Sequence, residues 1–179
     1  VPDSAETYCS PVVADIQNNG VNWVLFGTGG ENLGGSFYVC PLTSILSNNT
    51  SGAIAISTDS LKGYIAPASI HQNELTGAKD IVFVSFGGKV EKINGEDFSS
   101  SWTFTHPGTE SSAEPVLGNF TGDLTPDVFL TLFKGIAPSF SDFYQVMLDG
   151  SNGELKFIDS IGQLNYSSGN AIDLNNDGR

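Results

Sequence analysis

Oxygen-bearing side chains alternate in two stretches of this chain, at a spacing that suits a hard cation. Asn119, Thr121, Asp123 and Asp127 stand at the first, third, fifth and ninth positions of one stretch. Asp173, Asn175 and Asp177, followed by Gly178, repeat the first three of those positions near the C-terminus. Calcium takes six to eight oxygens from carboxylates, amides, carbonyls and water. Alternate positions in a tight loop can aim several oxygens at one centre. A ninth-position carboxylate at the head of the next strand then closes the shell. Calcium is therefore the expected cofactor, with Asn119, Thr121, Asp123 and Asp127 as one ligand set. Asp173, Asn175 and Asp177 form a second, incomplete set. Two weaker copies read as metal-free turns, because Asp and Asn favour turns in any case. Asp15-Ile-Gln17-Asn-Asn19-Gly20 has Trp23 at its ninth position, and His71-Gln-Asn73-Glu74 leads to Asp80 with one extra residue.

Other chemistry is thinly represented. His71 and His106 have no Gly-x-Ser-x-Gly elbow beside them, and His-Glu-x-x-His is absent. Gly27-Thr28-Gly29-Gly30 lacks the Lys-Ser/Thr of a phosphate loop and reads as part of a long hairpin. No catalytic group is expected. Cys9 and Cys40 lack zinc spacing. They would be free thiols in a reducing compartment and could pair in a secreted protein; a Cys9–Cys40 disulfide is the expectation. Asn48, Asn49, Asn119 and Asn165 each open a glycosylation acceptor triplet, which matters only in a source that has that pathway.

Composition narrows the partners. Twenty acidic residues against seven Lys and Arg give a formal charge of −13. Nucleic acid and anionic lipid both require clustered cations, so neither is expected. No apolar run approaches a membrane span, and Val1-Pro2-Asp3 lacks the basic start of a signal peptide.

The loops must be held by strands. Four similar segments recur, anchored on Asp15, His71, Asn119 and Asp173 at spacings of 56, 48 and 54. The first three run into β-prone stretches at Trp23–Phe26, Asp80–Val84 and Asp127–Leu130. Glycine turns follow (Gly27 to Gly35, Gly87-Gly88 and Gly135), then two further alternating runs in each repeat. No segment carries a convincing helical period. Four short strands per repeat of about fifty residues is the pattern of a propeller blade. The fold expected over residues 1–179 is all-β, a single partial β-propeller of four-stranded antiparallel blades. Three blades would span about 10–65, 66–113 and 114–167, with the first strand of a fourth in 168–179.

The loop Asp173-Leu-Asn175-Asn-Asp177-Gly178, with Asn119–Asp127, resembles the calcium loop of FG-GAP or VCBS repeats, the blades of integrin α-like propellers. Gly87–Phe104, with its Gly-Gly turn and Trp102, also resembles a quinoprotein-like blade, in which Trp102 would pack between blades. The first resemblance implies an extracellular, non-catalytic calcium-binding module for adhesion, ligand recognition or assembly, secreted or at the cell surface. Its ligand would be a protein or glycan. Alternatives are the propeller portion of a secreted polysaccharide lyase or hydrolase, or a subunit of a surface filament. An open arc would expose blade faces, so remaining blades are expected from the same precursor or another chain.

Overall fold

The computed structural model describes residues 1–123, 125–161 and 168–174. Strands dominate, in three antiparallel sheets that follow one another along the chain. The first sheet is β1 (Val12–Asp15), β2 (Asn22–Gly27), β3 (Gly35–Pro41) and β4 (Ile54–Asp59), in that spatial order. The second is β5 (Ser69–Gln72), β6 (Lys79–Val84), β7 (Lys89–Ile93) and β8 (Ser100–Thr105). The third contains β10 (Val116–Gly118), β11 (Asp127–Ile136), β12 (Ser139–Leu148) and β13 (Leu155–Ser160). A short β9 (Thr109–Glu110) pairs with the far end of β11. Each sheet is an up-and-down meander, as expected for a propeller blade.

The register refines the repeat. Ala14 pairs with Trp23, His71 with Asp80, and Gly118 with Asp127. Equivalent positions are thus Ala14, His71 and Gly118, so the copy anchored on His71 lies one residue out of step. Once it is shifted, the second loop needs no extra residue. The third glycine turn is also displaced. Gly135 (φ 122°) is a bulge in β11, and the reversal falls on Ala137-Pro138, between β11 and β12.

Strand alternation gives each sheet two faces, and the core lies between sheets. On β6, Ile81 and Phe83 face the first sheet and meet Leu25, Phe37 and Val39. Phe37 stacks on Phe83 with centroids 4.2 Å apart, and Tyr64 meets both rings edge-on at 5.8 and 5.7 Å. Val82 and Val84 face the other way, with Val90 and Trp102, against Val128, Leu130, Leu132, Val146 and Leu148. Full burial of such side chains is worth about 1.5–3 kcal/mol each. Packing between neighbouring sheets is therefore what holds the blades together.

One element had no sequence signal. Helix α1 (Leu42–Leu46) interrupts the β3–β4 connection and has no side-chain cap. Five residues cannot show a helical period or stand alone in water. It survives by packing on β2 and β3. There Val24, Tyr38 and Cys40 are buried on the sheet face turned away from the second sheet. Val1, Thr7, Phe26 and Ile45 line a cavity of about 270 Å³ on that side with Val24.

Candidate functional site

Asp127 closes the expected metal loop. It opens β11, is fully buried, and its carboxylate meets four protein donors. Oδ2 accepts from the amides of Phe120 (2.8 Å) and Thr121 (2.7 Å). Oδ1 accepts from the Thr121 hydroxyl (3.0 Å) and the Gly150 amide (3.3 Å). Asn119 Oδ1 accepts from Gly122 N at 2.9 Å, and Asp123 Oδ1 from Thr125 N at 2.8 Å. All four expected ligands are therefore gathered in one loop, yet each is engaged in turn-forming hydrogen bonds.

That arrangement bears on calcium. An ionised carboxylate offers about four lone-pair positions, and those of Asp127 face N–H and O–H donors. The Thr121 hydroxyl donates its proton to Asp127 and keeps its own lone pairs. Among the described residues, no three His, Cys, Asp or Glu side chains converge as a metal-holding group. In the described loop, Asp127 therefore serves as the hydrogen-bonded anchor of the turn. Asp173 lines a cavity of about 270 Å³ together with Gly118, Asn119 and Phe120. Asn175 and Asp177 lie outside the described residues.

The second blade shows the same closure with different partners. Asp80, second in β6, accepts from Gly95 N at 3.3 Å, as Asp127 does from Gly150. Its Oδ2 takes Asn73 Nδ2 (3.3 Å) and pairs with Lys92 Nζ (3.2 Å). A strand-head carboxylate and a later turn glycine, Asp80 with Gly95 and Asp127 with Gly150, recur in the second and third repeats. The metal-loop template draws the eye instead to residues nearer in sequence. In the first blade Trp23 replaces the aspartate. Asp15 closes that loop by accepting from Asn19 N and Gly20 N at 3.0 and 2.8 Å. The Gly20 amide, chief among these contacts, holds the Asp15 carboxyl below its usual range.

Blades two and three are clasped at Gly150. Trp102 Nε1 donates to its carbonyl at 3.0 Å, and Lys92 Nζ donates to the same oxygen at 3.1 Å. The Trp102 ring lies over Gly153 (φ 75°), where a Cβ would come within 2.8 Å of the indole. Trp102 thus packs between blades, as its sequence context implied.

Blades one and two share a polar network that has no motif. Ser57 Oγ meets Tyr64 Oη at 2.7 Å, accepts from Lys89 Nζ at 2.9 Å, and donates to the Glu91 carboxylate. Lys89 pairs with Glu91 at 3.0 Å and donates to Thr58 O at 3.1 Å. A serine beside a lysine resembles a nucleophile with its base. Here the lysine has a carboxylate partner and the serine proton points at that same carboxylate, so the group acts as a half-buried clasp. Burial pushes the Tyr64 phenol well above its ordinary range.

The expected Cys9–Cys40 disulfide is not formed: both are buried free thiols. Cys9 donates to Ala66 O at 3.2 Å, on the lead into the second sheet. Cys40 follows Val39 on β3, so it faces away from that sheet. Burial raises both thiols above their usual range.

No protein-family model and no curated protein matches the chain. Solved structures do resemble it. A europium-containing methanol dehydrogenase aligns with a TM-score of 0.52 at 9% identity, over 88% of this chain and 25% of the other. BamB from Moraxella catarrhalis aligns with a TM-score of 0.46 at 13% identity, over 86% of this chain and 36% of the other. Both are β-propeller proteins. The chain thus spans about a third or less of their length. At these identities the likeness concerns the fold alone.

Proposed function

We propose that the chain forms three blades of a larger secreted or cell-surface propeller of the FG-GAP/VCBS kind. It would recognise a protein or glycan ligand without catalysing a reaction. The observation that supports further blades is the outer face of the third one. Val116, Phe129, Met147 and Phe157 are register partners in one row across four strands. They alternate with the residues buried against the second blade, so they face the other way. Phe157 is 45% exposed, whereas Leu148, on the buried face, is 0%. The backbone at Gly169 already crosses Val116, since a Cβ there would stand 3.3 Å from Val116 Cγ2. Such a face suits another blade. Alone, the chain is expected to self-associate with rising concentration in sedimentation velocity and to bind a hydrophobic dye. Phe157→Asp is expected to abolish the association. A wild-type chain that stays monomeric and binds no dye would remove the reading.

Calcium belongs to this proposal at the loop of Asp173, Asn175 and Asp177 rather than at Asn119–Asp127. The support is the alternating spacing there and the engagement of Asp127 by protein donors. Calcium is expected to raise the melting temperature relative to EGTA. Asp173→Ala is expected to abolish that increment, while Asp123→Ala leaves it in place. Equal melting in calcium and EGTA would dismiss the cation.

A further inference from the structure

On the first blade, the segment before β1 and the β2–β3 connection build a trough. The segment is pinned along its length. Thr28 donates to the Asp3 carboxylate, Gly29 N to Glu6 O at 2.8 Å, and Thr7 Oγ1 to Gly27 O at 2.6 Å. The β2–β3 connection folds back on itself through a Gly30–Leu33 bridge. Gly63 N secures it by donating to Gly30 O at 2.8 Å. Two depressions result. One, of about 530 Å³, is lined by Glu6, Tyr8, Glu31, Asn32, Leu33 and Ile65. The other, of about 670 Å³, runs on from Glu6 and Leu33 past Asp3 to Asp59. Leu33 and Glu6 line both, so the two lie side by side.

We infer that this trough binds an extended basic peptide segment, with an aliphatic stem on Leu33 and Ile65 and its cation between Glu6, Glu31 and the Tyr8 ring. Asp3, Glu6, Glu31 and Asp59 line the two depressions, and no Lys or Arg does. The neighbouring cation, Lys62, contacts Asn32 at 3.4 Å but is paired with Glu110 at 2.8 Å. The charge of −13 draws a basic partner in. Apolar surface supplies what charge alone does not: Tyr8 is 67% and Leu33 49% exposed. An aromatic face also attracts ammonium and guanidinium groups. The walls are fixed by hydrogen bonds beforehand, which lowers the ordering cost of binding. The site lies on the first blade, apart from the loops assigned to calcium, so it stands or falls independently of them.

The test is fluorescence anisotropy in EGTA, at physiological salt, with a labelled Lys-Leu-Lys-Leu-Lys peptide and its Glu-Leu-Glu-Leu-Glu counterpart. The basic peptide is expected to bind and the acidic one not. Glu6→Gln with Glu31→Gln is expected to weaken binding about 10-fold, and Tyr8→Ala by a similar factor. Glu154→Gln with Asp159→Asn removes the same charge from the third blade and is expected to change binding less than about 2-fold. Equal losses in the two double variants would reduce the effect to general charge attraction and overturn the proposal. So would failure of the basic peptide to bind a wild-type chain whose melting curve shows it folded.

Discussion

Asp127→Ala is expected to destabilise the protein by about 3 kcal/mol, and to do so equally in calcium and in EGTA. The figure follows from the four donors the carboxylate holds. Gly150 is buried, and leaving its amide unpaired costs about 1–3 kcal/mol. The Phe120 and Thr121 amides can reach water, so their loss resembles removal of a cap, about 1 kcal/mol. For a domain of this size the melting temperature should fall by roughly 6–12 °C. Asp127→Asn keeps one oxygen acceptor and should lose about half as much. A cation ligand would behave differently, because its contribution scales with free calcium and vanishes in EGTA. Urea unfolding under both conditions separates the cases. A variant indistinguishable from wild type in EGTA but weaker in calcium would return Asp127 to the metal.

Trp102→Ala is expected to cost about 3–5 kcal/mol, the range for truncating a large buried aromatic. The ring is 8% exposed, packs in the core between blades two and three, and donates to Gly150 O. Trp102→Phe retains much of the packing but strips the donor, and should cost roughly 1–2 kcal/mol. Gly153→Ala should also destabilise, because its φ of 75° and the indole overhead both reject a Cβ. The damage should be local before it is global. In native-state hydrogen exchange, amides of β11 and β12 are expected to lose protection first, while those of β6 and β7 keep theirs against the first blade. A uniform loss across all three blades would count against this junction as a separable contact.

Much of the architecture was legible because strand alternation and turn chemistry are local. The Asp80–Val84 run lies inside β6, and Trp23–Phe26 lies inside β2. Legibility failed where the determining contact is remote. Nothing in Leu42–Leu46 announces a helix, since β2 and β3 hold it in place. His71 looks like a loop anchor beside Asp15, but pairing places it level with Ala14. The spacing of Asn119, Thr121, Asp123 and Asp127 located a real loop. What the spacing did not reveal is that Gly150, a turn away in the third blade, competes for the ninth-position carboxylate. The clasp of Ser57, Tyr64, Lys89 and Glu91 is assembled from two blades, and no motif spans that gap.

The helix on the first blade makes the arc unlike at its two ends. Val24, Tyr38 and Cys40 are buried on one side, whereas Phe157 is exposed on the other, in a row with half-buried Phe129 and Met147. In a stack whose units touch only their neighbours, stability behaves as a one-dimensional lattice, and the boundary terms decide where order begins. Here one boundary is partly covered by the chain's own helix, which packs on β2 and β3. Order should therefore nucleate at the first blade and spread toward the third, giving the arc a direction of growth.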